Sequence, residues 1–586
     1  MANFLAWDSE GIGDQPNHRL VLFANSNREI IQDRNGLSPF DILEFLSASK
    51  YYHTKNVFFS MGYDINAALA PLVKTHIKEM KELFQNGETR LESYELRYIP
   101  KKILRINRNS YYDVYGFFQT SFVKALQSWG INAPSLIADM KYERENFEKY
   151  PLEKLVQYNY AELDCLVKLM EKLQTQLISN KIYLSSWHGA GSIASNFLTS
   201  WETDKIIFKK LPEIVRLKRR KAYFGGRIEL FKRGFYQNIH HYDINSAYPH
   251  AITELPKITD NWREIVKPSE NDLRGLFGIA NISWSDKGEQ IAPFPFRLKS
   301  GYVIFPNKGA GDYHIVEVLQ AIEKGYKVKI NSAVVLEPPY EFPFKERVES
   351  IAKRRLELKK INPLLSYPLK LGLNSLYGKF AQRPTPSNKH PRYRELLYAG
   401  YITAQARAKL LKYVEDSETI LFSTDGIYSL AELKCPISDK LGEFEYQFHD
   451  NSIFLLAGIY CNGQICQNFG ELGNFYEIEN KTRGWRNLSI ENVYLKVKNL
   501  GEYSTKDRRF IGIKQSLAQP KAYKPANFYE IDRLINWENN AKRVFLDDNL
   551  SYPNSNLEGL KESFPYLDGK TQDLQEQIAE EIDVEN

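Results

Sequence analysis

The stretch Tyr367–Gln382, YPLKLGLNSLYGKFAQ, sets Lys370, Asn374 and Tyr377 at i, i+4 and i+7. On a helix that spacing puts an ammonium, an amide and an aromatic ring on one face. Two other segments flank it. In His240–Ile252, HHYDINSAYPHAI, an apolar-aromatic strand ends at Asp243, and Tyr248-Pro249 turns the chain. In Glu418–Leu430, ETILFSTDGIYSL, the pattern is strand, turn at Thr424-Asp425-Gly426, strand: a hairpin with Asp425 at its tip. Each has an ordinary explanation alone, since acids at strand ends are commonly turn residues and a mixed polar stripe commonly faces solvent. Together they make a constellation. Two carboxylates on adjacent strand ends can hold two divalent cations, and a lysine-bearing helix can bind a triphosphate.

The rest of the 586 residues bounds that reading. At roughly 150 residues per domain the length predicts about two to four domains. Hydrophobic residues make up 43% and charged residues 26%, the balance of a folded chain. No apolar run reaches the roughly 18–20 residues that span a bilayer, so a membrane partner is not expected. Asp8 and Glu10 fall where a leader would need apolar residues. Four cysteines, with Cys461 and Cys466 too far apart for a paired zinc motif, predict reduced cytoplasmic thiols.

Charge is uneven. Lys209–Arg233 holds ten Lys/Arg against two acids, while Leu567 to the C-terminus holds seven acids against Lys570. A basic band of that density is either a solvated face or a phosphate track. Here a phosphate track is expected, with the acidic tail disordered.

Residues 1–190 alternate strands (FLAWDSEGI, HRLVLFANS) with helical patterns (SPFDILEFLSAS, PLEKLVQYNYAELDCLVKLMEKLQTQLI), the signature of an α/β domain. After about residue 451, strand-like segments such as SIFLLAGIY, NVYLKVKN and RRFIGIKQ predict a further mixed region. Within the first domain, Asp8 and Glu10 share one face of the first strand. FFSMGYDINAAL offers Asp64, and YNYAELDCLV offers Tyr160 and Asp164, four apart on one helix face. Four carboxylates can hold two metals, and a tyrosine can orient an attacking water.

Taken in order, these motifs resemble the family B DNA polymerases, specifically the protein-primed branch of phages, viruses and linear plasmids. DINSAYP resembles that branch's motif A, KLGLNSLYGKF its motif B and STDGIY its motif C. KAYFGGR (Lys221–Arg227) resembles the segment joining its exonuclease and polymerase modules, and YITAQARAKLL the helix before motif C. The resemblance implies an α/β and α+β multidomain chain: an RNase H-like 3′–5′ exonuclease followed by a right-hand polymerase of palm, fingers and thumb. Its expected divisions are 1–190 exonuclease, 191–221 basic connector, 222–345 palm with insertion, 346–410 fingers, 411–450 palm, 451–566 thumb and 567–586 acidic tail.

By that resemblance Asp243, Asp425 and the carbonyl of Ile244 would hold two Mg²⁺ ions, for which Mn²⁺ may substitute. Lys370 would meet the incoming dNTP, Asn374, Tyr377 and Gly378 would line the nascent pair, and Tyr248 would act as a steric gate against a 2′-hydroxyl. Tyr223, Gly225 and Gly226 would hold template backbone, and Lys481, in KTRG, would contact primer. Asp8, Glu10, Asp64, Tyr160 and Asp164 match the three exonuclease motifs, with Lys124 as a candidate auxiliary lysine. The chain departs from the pattern at Ser423, where the family has a first motif C Asp. It departs again at Ser60, where the exonuclease has an Asn, and at Gly458-Ile459-Tyr460, where Lys-x-Tyr is usual. The interval between motifs B and C is short, leaving only the loop around 384–391 to surround the template. The implied function is a monomeric, cytoplasmic DNA-directed DNA polymerase with proofreading, bound to template and primer DNA and started from a terminal protein. The alternatives are a family B enzyme that uses nucleic-acid primers or none, and a non-catalytic DNA-binding relic.

Overall fold

The computed structural model describes residues 4–13, 18–207, 211–232, 234–285, 291–384, 390–414, 416–456, 459–462, 542–545 and 551–568. Lys481, the segments NVYLKVKN and RRFIGIKQ, and the acidic tail beyond Asp568 lie outside them. So do parts of the loop at 384–391 and Gly458.

The first sheet is built around the strand Phe4–Ile12, which pairs antiparallel with Arg19–Asn25 and parallel with Lys55–Phe58. Five more strands complete an eight-stranded sheet. A register shift between Glu10 and Gly11 bends the first strand where its acids sit. Helix Pro39–Ser47 starts on a Ser38 side chain that accepts from the Phe40 N–H. The long helix Leu152–Ser179 lays the buried stripe Leu155, Leu166, Leu169 and Leu173 into the adjoining core.

The second sheet has six strands. Gly234–Ile244 runs between Gly426–Ser429 and Phe444–Leu456, both antiparallel to it. Thr419–Thr424 and Gly426–Ser429 form the expected hairpin. A four-stranded sheet from Trp262 to Leu336 packs beside it. The turn expected at Tyr248-Pro249 is instead the first part of helix Ala247–Thr253, where a proline's missing N–H costs no helical bond.

Two helices, Lys345–Ile361 and Pro363–Phe380, pack against each other and against helix Ala247–Thr253. Asn362 separates them: its side chain accepts from the N–H groups of Leu364 (3.1 Å) and Leu365 (3.3 Å), and Pro363 opens the second helix. Gly372 faces Phe197 and Ile193 of helix Ala190–Ser200, and a Cβ there would collide with Phe197. The glycine lets the two helices close on each other.

The basic band is where expectation fails. Lys218 pairs with Asp312 (2.6 Å), Arg219 with Glu395 (3.0 Å) and Arg227 with Glu229 (2.7 Å), all deeply buried. Arg220 reaches the Tyr566 carbonyl and Asp568. These cations sit inside the fold with partners, because a desolvated charge is tolerated only when paired. The expectation that they lie along a nucleic-acid path is corrected for these residues.

Candidate active sites

Asp243 stands opposite Gly426 on one neighbouring strand and Glu445 on the other. The Ile244 N–H donates to the Asp425 carbonyl (3.0 Å), and Thr424 turns the hairpin with a φ of +67°. A Cβ on Gly426 would lie 3.3 Å from Asp243 Oδ1, so the carboxylate leans across the hairpin tip. Backbone register thus brings Asp243 and Asp425 together. Burial, with repulsion from Asp425 and Glu445, lifts the Asp243 carboxyl to about 7. Burial lifts Asp425 to about 6. Two desolvated carboxylates with a third acid across the strand are an oxygen-only, negatively charged donor set, which fits divalent cations. Glu445 was not foreseen, because only strand register reveals it.

The helix pair faces this site. Burial, then Arg355 and Lys359, hold the Lys370 ammonium below its ordinary range. Arg355 donates to Ser246 Oγ (3.1 Å), three residues beyond Asp243. This second cation was hidden in the run AKRRLELKK, where nothing separates one basic residue from the next. Asn374 is exposed on the same helix as Lys370, and a Cβ on Gly378 would meet open space.

Tyr248 and Tyr377 pack with centroids 4.7 Å apart, and the Tyr377 and Tyr223 hydroxyls are 3.2 Å apart. A Cβ on Gly226 would fall 2.6 Å from the Tyr248 hydroxyl and 2.8 Å from Thr424 Cγ2, so only glycine allows this approach. The carbonyls of Tyr223, Phe224 and Gly225 are taken. Arg297 donates to Tyr223 O (2.6 Å), Thr403 to Phe224 O (2.5 Å), and Arg407 to Phe224 O (3.1 Å) and Gly225 O (2.5 Å). Arg407 is itself braced by Glu317 (2.6 and 2.8 Å).

In the first sheet, Asp8, Glu10 and Glu162 bring one carboxylate oxygen each within 4.8 Å of one another. Asn159 Nδ2 donates to Asp8 (3.3 Å) and Glu10 (3.4 Å), and the Tyr158 hydroxyl donates to Glu162 (2.7 Å). Lys141 pairs with Glu162 (2.6 Å), and Arg144 donates to the Tyr158 hydroxyl (3.4 Å). Asp64 adjoins the cluster, pinned by the N–H (3.0 Å) and hydroxyl (2.7 Å) of Ser9. Burial pushes Asp8 well up, Glu10 to about 8 and Asp64 to about 6. This enclosed acidic cluster also fits divalent cations.

Tyr160 and Asp164 are elsewhere. Asp164 pairs with exposed Arg28 (2.8 Å), whose guanidinium lies over the Tyr160 ring (4.5 Å) while the Tyr160 hydroxyl donates to Arg28 O (3.2 Å). The pair at the cluster is Tyr158 and Glu162, two residues earlier with the same spacing. YNYAELD contains both pairs, and the helix phase relative to the first strand decides between them. Lys141 is the lysine paired with the acids, through Glu162.

Residues 116–395 match the family described as DNA polymerase type B, organellar and viral. The DNA polymerase of Acidianus bottle-shaped virus (isolate Italy/Pozzuoli) is 22% identical over 462 residues, 70% of this chain and 66% of that protein. The DNA-directed DNA polymerase of Enterobacteria phage PRD1 is 29% identical over 250 residues, 42% of this chain and 41% of that protein. In both, the matched part is under two thirds of the relative's own length. Phi29 DNA polymerase, in its orthorhombic crystal form, shares the fold with a TM-score of 0.57 at 15% identity, over 79% of this chain and 87% of that one. The same enzyme complexed with primer-template DNA and incoming nucleotides gives 0.56. The chain therefore shares the fold of Phi29 DNA polymerase over most of its length, and its residues 116–395 are similar to the type B DNA polymerases of the organellar and viral kind.

Proposed function

We propose that the chain is a DNA-directed DNA polymerase with a separate 3′–5′ exonuclease site. The observation that carries it is the meeting of Asp243 and Asp425 at adjacent strand ends, opposite a helix pair bearing Lys370 and Arg355. Asp243, Asp425 and the Ile244 carbonyl would hold Mg²⁺, with Mn²⁺ able to replace it. The bound cations would lower the pKa of a primer 3′-hydroxyl and offset charge on the departing pyrophosphate. Lys370 and Arg355 bind the triphosphate by charge-assisted hydrogen bonds, while Asn374, Tyr377 and Gly378 border the new base pair. Tyr248 lies beneath the sugar and excludes a 2′-hydroxyl by overlap. The glycine-permitted segment Tyr223–Gly226 meets template backbone.

In the first domain, Asp8, Glu10, Asp64 and Glu162 would hold the divalent cations that support hydrolysis, and Tyr158 would take the orienting role expected of Tyr160. The resemblance carried by Lys221–Arg227 supports a start from a hydroxyl on a terminal protein. Action as a monomer in a host cytoplasm completes the reading.

The test incubates purified protein with Mg²⁺, dNTPs and template DNA, with and without a primer. Extension that requires a primer is expected on a nucleic-acid primer as well as from a protein hydroxyl. Failure to extend under every condition would leave a DNA-binding relic.

A further inference from the structure

The C-terminal segment 551–568 returns from the far end of the chain to the back of the nucleotide pocket. Its Ser563 N–H donates to Ala310 O (2.9 Å), its Phe564 N–H to Arg297 O (2.9 Å) and its Tyr566 N–H to Arg220 O (2.9 Å). The Arg297 N–H donates in return to Ser563 Oγ (2.9 Å). Arg297 is almost fully buried and bridges two segments: one arm reaches Phe564 O (3.3 Å), the other Tyr223 O (2.6 Å). Asp568 then pairs with Arg220 and Arg394. The strap is fastened at each step by the palm side of the molecule.

Its tip meets the site. The Tyr566 ring packs edge-on against Tyr223, with centroids 4.8 Å apart and an interplanar angle of 81°. Tyr223 is joined to Tyr377 through their hydroxyls, and Tyr377 packs on Tyr248. The four rings Tyr566, Tyr223, Tyr377 and Tyr248 form one continuous row from the strap to helix Ala247–Thr253, which follows the Asp243 strand. Arg297 and Arg383 lie 5.4 and 5.9 Å from the Tyr566 ring, closing its sides.

We propose that Tyr566 is a positioning residue: seated by the strap, it fixes Tyr223 and, through Tyr377, the ring of Tyr248 in the nucleotide pocket. The inference rests on the polymerase reading above. Tyr566 touches no reacting atom, so its effect is on how well the pocket is preformed. A nucleotide must otherwise order Tyr223 and Tyr377 as it binds, which weakens binding more than it slows chemistry.

The experiment compares wild type, Tyr566→Phe and Tyr566→Ala in single-nucleotide insertion with dATP or ATP opposite template T. Melting temperature, degradation of single-stranded DNA and amide exchange at residues 221–226 are followed alongside. Loss of one aromatic pair is expected to raise KM for dATP about three- to tenfold in Tyr566→Ala. The same variant should accept ATP more readily and exchange faster at 221–226, with kcat and single-strand degradation near wild type. Tyr566→Phe keeps the ring and is expected to restore all of these. A folded Tyr566→Ala protein with unchanged KM, sugar preference and exchange would overturn the inference. An equal rise in KM and an equal loss of exchange protection in the Phe variant would overturn the ring's role. Faster exchange in Tyr566→Ala, in a wild type that inserts no nucleotide, would instead uphold the packing and reject the polymerase reading.

Discussion

The two acidic sites are made in opposite ways. In the palm sheet the backbone does the placing: strand register sets Asp243 beside the hairpin tip, and the cations Lys370 and Arg355 stand across a gap on other elements. In the N-terminal sheet the side chains do it. Asn159, Ser9 and Tyr158 donate to the acids, and Lys141 is already paired with one of them. A site set by register stays open to a large ligand, while one knit from side chains is enclosed. On the proposed function, the first would take a duplex end with its nucleotide and the second a frayed single strand.

The sharpest way to break the comparison is to remove one site and read both activities. Asp243→Ala or Asp425→Ala is expected to cut nucleotide addition on the order of a thousandfold and to spare single-strand degradation. Joint loss in a folded protein would mean that the sites are not independent. Next in size, Glu162→Ala should lower degradation about a hundredfold. Asp164→Ala, which breaks only an exposed ion pair, should leave it within about twofold. The reverse ranking, measured on a labelled oligonucleotide, would reinstate Asp164 and Tyr160.

Tyr248→Val should retain dNTP insertion and raise ATP insertion by roughly ten- to a hundredfold, since a steric gate rejects by overlap. An unchanged dATP/ATP ratio would place sugar selection elsewhere. The smallest expected effect is thermal. A buried carboxyl raised in the fold favours its protonated form, so its stabilising contribution is present below the ordinary carboxylate range. That contribution is lost as pH rises through the folded values, about 6 to 8 for Asp425, Asp243 and Glu10. Without divalent cation, melting temperature should therefore fall between pH 5 and 8. Added Mg²⁺ should raise it more at pH 8 than at pH 5, by roughly 1 °C per kcal/mol of binding linkage for a chain of this length. Asp425→Asn should flatten part of the slope. A metal-induced shift independent of pH would contradict the linkage.

Much of this was legible in the linear sequence because the palm motifs are local. Asp243, Asp425 and the Lys370–Asn374–Tyr377 stripe are fixed by strand ends and helical spacing, which the residues themselves encode. What stayed hidden depends on where distant elements meet. Glu445 needs the register of a strand two hundred residues on, and Arg355 needs the crossing of two helices. Tyr158 and Tyr160 carry the same local signal, and only the roll of the helix against the first strand separates them. The basic band misled for a related reason: composition counts charges but not partners, and Asp312, Glu395 and Asp568 lie roughly 90 to 350 residues away in sequence.

The close seating of Gly372 under Phe197 bears on how the molecule comes apart. The same helix is tied across that seam by the Tyr367 hydroxyl to Phe117 O (2.7 Å), and its Leu365 O accepts from Asn180 (2.7 Å). The helix that carries Lys370 is thus moored to the N-terminal half rather than hinged freely from the palm. Heat or denaturant should therefore release both halves in one cooperative transition. A fragment ending near residue 190 would lack helix Pro363–Phe380 and bare the apolar surface around Trp129 that Tyr367 covers, so it should aggregate rather than fold as an isolated nuclease.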